Sequence, residues 1–131
     1  MIFVDTNIVM YAVGRPHALR AEAQRFFAAA VDSGERLCTS AEVMQELAHV
    51  YIATSRLRTL DAAFELIGGV EIEVWPLEAA DVVLARQLHA QHPNLQARDL
   101  CHLASCRRRG VTSIKTFDRA LAAVSDGPDA P

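Results

Sequence analysis

No stretch of the sequence approaches the roughly 20 consecutive apolar residues that span a bilayer, so a membrane-spanning protein is not expected. The N-terminus lacks the basic region and apolar segment of a signal peptide, and a cytoplasmic location is expected. Cysteine is scarce and odd in number. Cys38, Cys101 and Cys106 contain no C-x-x-C pair, which argues against a disulfide framework or a zinc ribbon and predicts reduced, buried thiols. His17, His49, His89, His92 and His102 form no compact ligand motif, which disfavours zinc. An excess of positive charge is also missing: a net charge of -3 excludes bulk electrostatics as the sole means of holding nucleic acid. Lysine is almost absent, for twelve of the thirteen basic residues are arginine, whose planar fork suits phosphate. The run Arg107, Arg108, Arg109 reads equally as a solvated helix end that complements the helix dipole.

What is present suits one globular domain. The 131 residues, 51% hydrophobic, can bury one substantial core and leave no room for a second domain. The expected domain covers residues 1–124, and the apolar-poor "SDGPDAP" at 125–131 is expected to fray. "IFV" reads as a short buried strand, followed by a helix over "NIVMYAV" that Asp5 or Thr6 can cap and that Gly14 and Pro16 end. Leu19, Ala23, Phe26, Phe27 and Ala30 recur at helical spacing over 18–31. "RLCTS" predicts a second strand, and Thr39 with Glu42 has the spacing of a capping box opening a third helix. Another helix is expected over 60–67, broken by Gly68 and Gly69, before a half-exposed strand "VEIEVW" ended by Pro76. Helices at 78–91 and about 95–109, a strand "VTSIKT" and a short helix "DRALAAV" complete the chain, with no internal repeat. Strands alternating with helices predict an α/β fold: a central, mainly parallel sheet of four to five short strands flanked by helices as an α/β/α sandwich.

In such a sheet, ligands gather beyond the C-terminal ends of the strands. Asp5 follows the first strand and Asp118 the last, so two acids distant in sequence are expected at one edge. Glu42 and Glu46 lie one helical turn apart. The capping box gives Glu42 a structural duty, whereas Glu46, between apolar neighbours, has none. Asp99 borders the apolar face set by Leu100, Leu103 and Ala104, and points toward an interior cleft, or else serves as a first-turn acid or a partner of Arg98.

The order "VDTNI", "TSAEVMQEL", "ARDLCHLA", "TFDRAL" resembles the PIN-domain ribonucleases, particularly the VapC-type toxins of toxin–antitoxin pairs, over residues 1 to about 124. The resemblance places the four family acids on Asp5, Glu46, Asp99 and Asp118, with Asn7 and Thr116 as supporting polar residues. Asp118 reads alternatively as the cap of the last helix. It implies a magnesium- or manganese-dependent endoribonuclease, with Asp5 and Asp99 as metal ligands and Glu46 and Asp118 as further candidates. The implied substrate is structured or single-stranded-loop RNA of the tRNA or rRNA class. The implied partners are a cognate antitoxin and a second copy in a homodimer. An oxygen-only donor set independently suits magnesium. Arg15, Arg98, Arg107 and Arg119 are candidates for guiding the RNA backbone.

Two other readings stand beside this one. A haloacid-dehalogenase-like phosphatase also places an aspartate after its first strand, but needs another two residues on, where this chain has Asn7; a phosphoryl-receiver domain needs further acids there. A PIN fold kept as a catalytically silent binding module is the non-enzymatic alternative.

Overall fold

A computed structural model describes residues 1–125. Four parallel strands form a sheet in the order β3-β2-β1-β4: β1 Ile2–Val4, β2 Leu37–Ser40, β3 Glu73–Trp75 and β4 Ser113–Lys115. Seven helices connect and flank them: α1 Thr6–Val13, α2 Arg20–Ser33, α3 Ala41–Ala53, α4 Leu57–Gly69, α5 Ala79–Leu88, α6 Ala97–Arg108 and α7 Arg119–Ala122. The chain therefore has the expected α/β architecture. Parallel neighbours require crossover connections, and the helices that supply them cover the sheet.

β1 lies centrally, paired on one side with β2 and on the other with β4, and its Phe3 and Val4 are fully buried. Phe3 turns toward α6 and β3, its ring centroid 5.2 Å from His102 and 5.9 Å from Trp75. Helices α1 to α4 pack on one another, and α5 packs on α6. Asp81, with none of its surface exposed, fastens the second pair. It caps the start of α5 with Glu78 in a reciprocal capping box and accepts hydrogen bonds from Arg108 at 2.7 Å and Arg109 at 3.3 Å. All three cysteines are free and buried, as their scarcity predicts.

Four local features differ from expectation. The cap of α3 is Ser40, whose hydroxyl accepts from the Val43 N–H, and not Thr39. The Thr39 hydroxyl donates instead to the Val4 carbonyl of the neighbouring strand, so Glu42 has no capping duty. Helix α4 starts at Leu57 and runs through Gly68 and Gly69; the chain reverses at Glu71, which has φ of 56°. There the Ile72 N–H reaches back to the Ile67 carbonyl, the long bond of a Schellman motif. Helices α2, α3 and α6 end with the same long bond, through Gly34, Ser55 and Gly110, so two of four such positions carry a side chain where glycine is favoured. The third strand is only Glu73–Trp75 at the sheet edge, with Val74 partly exposed. Ser125 lies in the segment expected to fray, yet its hydroxyl bonds both the N–H and the carbonyl of Ile114. The remainder of that segment, 126–131, is outside the described residues.

Candidate active site

The site is assembled where β1 and β4 end side by side. The Asp5 N–H continues the ladder by donating to the Lys115 carbonyl at 3.0 Å, which fixes the first residue beyond β1 against the last of β4. Asp5 is 5% exposed, and each carboxylate oxygen has a partner. Oδ1 accepts the Thr6 N–H at 2.7 Å and so caps α1, while Oδ2 accepts the Thr116 hydroxyl at 2.7 Å. This cap satisfies one of the N–H groups left without an intrahelical partner at the start of α1.

Asn7 and Thr116 brace this arrangement. Asn7 Nδ2 donates to Thr116 Oγ1 at 3.2 Å and its Oδ1 accepts the Phe117 N–H at 3.1 Å, which ties α1 to the turn after β4. Thr116 Oγ1 also accepts the Asp118 N–H at 3.0 Å. Asp118 caps α7 through Oδ1, which accepts the Leu121 N–H at 3.1 Å, and the same residue lines the cleft. Asp118 is thus the cap of the last helix that the sequence allowed, and its position at the cleft leaves it within the acidic cluster.

Glu46 comes from α3, and Asp99 from the first turn of α6. Glu46 Oε2 accepts the Thr6 hydroxyl at 2.5 Å, while its buried Oε1 has no hydrogen-bond partner. Arg98 Nε stands 4.0 Å from Oε1. Asp5, Glu42, Glu46, Asp99 and Asp118 all line one cleft of about 640 Å³, together with Asn7 and Arg98.

Beneath the acids lies His102, 1% exposed and not anticipated as part of the site. Its Nε2 is 3.7 Å from both Asp5 Oδ1 and Glu46 Oε1, and its Nδ1 is 3.7 Å from Glu42 Oε2. Those separations exceed hydrogen-bond length but leave strong Coulomb attraction. Burial alone would lower the imidazole pKa; the carboxylates of Glu46, Asp5 and Glu42 outweigh it and raise the pKa, favouring the imidazolium. Glu46 is likewise penalised by burial, but His102 and the Thr6 hydroxyl hold its pKa below the ordinary value. Glu42, with burial dominant, is raised. Asp99 is raised by burial and then by the charges of Asp5 and Asp118. The upper part of the cleft is thus short of positive charge.

Among the described residues, no three carboxylate, thiol or imidazole groups form a ready-made coordination cage. Magnesium does not require one, since it binds through one or two carboxylates and keeps several waters. The Glu46 Oε1 without a hydrogen-bond partner, the half-buried Asp99 and the carboxylate-rich lining fit such an ion, whereas His102 faces the acids from inside the protein.

The arginines separate. Arg98 lines the acidic cleft and Arg15 an adjoining cavity. Neither Arg107 nor Arg119 lines either of these, and Arg107 lies roughly 12 Å along α6 from Asp99 at 1.5 Å per residue. Arg108 and Arg109, from the same basic run, are engaged by Asp81 and Glu78.

An α/β protein with acids gathered beyond the C-terminal edge of a parallel sheet has its cleft where enzymes of this architecture hold their ligands. The profile of the PIN domain matches residues 2–127. Ribonuclease VapC23 of Mycobacterium tuberculosis is 57% identical over 122 residues, covering 93% of this chain and 96% of the relative. Ribonuclease VapC13 of the same species is 44% identical over 121 residues, covering 92% of each. The crystal structure of M. tuberculosis VapC20, described as a sarcin-ricin loop cleaving toxin, superimposes with a TM-score of 0.79 at 22% identity over 94% of each chain. A toxin–antitoxin complex from Klebsiella pneumoniae gives 0.66 at 15% identity, over 95% of this chain and 92% of that one. These two structures bear on the fold. The chain belongs to the PIN-domain family, as a VapC-type ribonuclease.

Proposed function

We propose that this ribonuclease is a magnesium- or manganese-dependent endoribonuclease toxin in which Asp5, Glu46, Asp99 and Asp118 form the catalytic centre. The observation that carries this reading is the meeting of these four acids, from four separate segments, around one cleft with His102 beneath it. Evolved cores avoid such clusters unless charge is compensated or used.

A divalent ion held by Asp5 and Asp99, with Glu46 and Asp118 assisting, would supply an acidified water and neutralise charge on the scissile phosphate. The protein groups prepare this site in distinct ways. Thr6 and Thr116 fix both oxygens of Asp5. The Thr6 hydroxyl and the His102 imidazolium keep Glu46 ionised at the cleft wall. The products would carry 5′-phosphate and 3′-hydroxyl ends. Asn7 spends its amide on Thr116 and Phe117, a brace that differs from the second acid of a haloacid-dehalogenase-like site.

Arg98 at the cleft rim would draw an RNA backbone toward the neutralised acids, consistent with a binding site more local than the net charge of -3. The substrate class is structured RNA with a single-stranded loop, as in tRNA or rRNA, because exposed loop bases are the readable features of RNA. A cognate antitoxin that covers the cleft and a homodimeric toxin complete the proposal. The family membership supports both. The test is cleavage of total RNA by wild type and Glu46→Gln, with magnesium and with EDTA; cleavage limited to wild type with metal is expected, and equal cleavage by the variant would overturn the assignment.

A further inference from the structure

Beside the acidic cleft, and sharing Asn7 and Met10 with it, is a second cavity of about 320 Å³. Its walls combine rings and guanidinium groups. Tyr11 and His17 lie with ring centroids 4.6 Å apart, and Phe117, outside the lining, meets Tyr11 edge-on at 5.5 Å. His17 Nδ1 accepts the Leu19 N–H at 3.1 Å, which sets the orientation of its ring. The Arg56 guanidinium, which also lines the cavity, lies 5.2 Å from the ring centre of the buried Tyr51. Among the described residues, neither Arg15 nor Arg56 has a carboxylate partner, so both charges are free to meet an anion.

We propose that this cavity is a nucleobase subsite, taking the base of a nucleotide next to the scissile phosphate while Arg15 and Arg56 hold the adjoining backbone phosphate. The proposal rests on reading the acidic cleft as the site of RNA cleavage. Continuity through Asn7 and Met10 places a base within reach of a strand whose phosphate lies among the acids. Every base has a face that stacks on aromatic or guanidinium planes, so such a subsite grips unpaired RNA whatever its sequence. A base in a duplex stays in its stack and cannot enter, which would make the enzyme favour loops over helices.

The probes are a short single-stranded RNA of randomised sequence and an oligomer of equal length with abasic riboses, titrated against Asp99→Asn protein in magnesium by fluorescence anisotropy. The base-bearing RNA should bind about tenfold tighter or more. Tyr11→Leu or Arg56→Gln, each added singly to that protein and checked for folding by thermal melting, should remove most of the preference. Arg56 is half-buried and outside the hydrophobic core, so its substitution tests the pocket even if the Tyr11 variant folds poorly. Equal binding of the two oligomers, or a preference that survives both substitutions, would overturn the subsite. An unchanged RNA preference combined with lost inhibition by an antitoxin peptide would also overturn it, assigning the cavity to a protein partner. Cleavage of the randomised RNA by wild type is scored separately: its absence refutes the catalytic reading, while loss of base preference in the variants still supports the pocket.

Discussion

Asp5→Asn should weaken the fold in the absence of metal, although the two side chains have nearly the same shape. Thr116 Oγ1 already accepts from Asn7 Nδ2 and the Asp118 N–H, so its proton is committed to Asp5 Oδ2 at 2.7 Å. An asparagine that keeps its oxygen on the Thr6 N–H must aim its amide at a hydroxyl whose acceptor capacity is full. The change therefore removes a hydrogen bond to a charged group and sets donor against donor. Charge terms oppose one another: repulsion from Asp99 is relieved, and attraction from His102 at 3.7 Å is lost. The net loss should be about 2 kcal/mol, a fall in Tm on the order of 5–10 °C. Magnesium binds only the assembled site and should raise the wild-type Tm, by about 2.7 kcal/mol of stability at a hundredfold excess over Kd, and the variant's much less. Circular dichroism melts in EDTA and then in millimolar magnesium measure both effects. A variant melting at or above wild type in EDTA would refute the hydrogen-bond argument.

Glu42→Gln should retain most cleavage and nearly all stability, because Ser40 caps α3 and Glu42 faces His102; a loss matching that of Glu46→Gln in the same cleavage assay would contradict this. Glu71→Gly should stabilise by about 1 kcal/mol, since only glycine adopts its φ of 56° without penalty, and a chemical denaturation midpoint that falls would count against it. For Asp81, burial opposes ionisation, but the Glu78 N–H and then Arg108 outweigh it and hold the pKa below the ordinary carboxylate value. Its contribution to stability is therefore complete above the unfolded value near pH 4 and lost as pH falls through the lower folded value. Asp81→Ala should forfeit that pH dependence and cost at least about 1 kcal/mol from the lost cap, read from melts between acidic and neutral pH.

The parallel α/β sheet and the position of Asp5 at the end of its first strand were legible because short apolar runs separated by helical segments require crossover connections, although the strand order was not. Asp118 followed from the edge rule, and Asp99 from its place beside the apolar face of its helix. What stayed hidden depended on partners from other elements. Thr39-x-x-Glu42 and Ser40-x-x-Val43 differ by one residue, and the choice was made by the Val4 carbonyl across the sheet, which draws the Thr39 hydroxyl away. Gly68 and Gly69 did not stop α4, since Leu66 and Ile67 anchor its last turn in the core and the reversal falls on Glu71. His102 is three residues after Asp99, so the helical repeat puts both on one face. A histidine among Leu100, Leu103 and Ala104 nevertheless reads as core until β1 and α3 bring their carboxylates against it.

The central claim is that four converging acids cut RNA with a divalent ion, and mapping the ends made in a single digestion series tests it most directly. Purified wild type, Asp99→Asn and Asp99→Asn with Glu46→Gln would each be incubated with total RNA in magnesium, manganese or EDTA, and new termini sequenced by methods selective for 5′-phosphate. The account predicts discrete 5′-phosphate ends from wild type with either metal and none from the variants or in EDTA. Cleavage that persists in EDTA, or in the double variant at the wild-type rate, would contradict it.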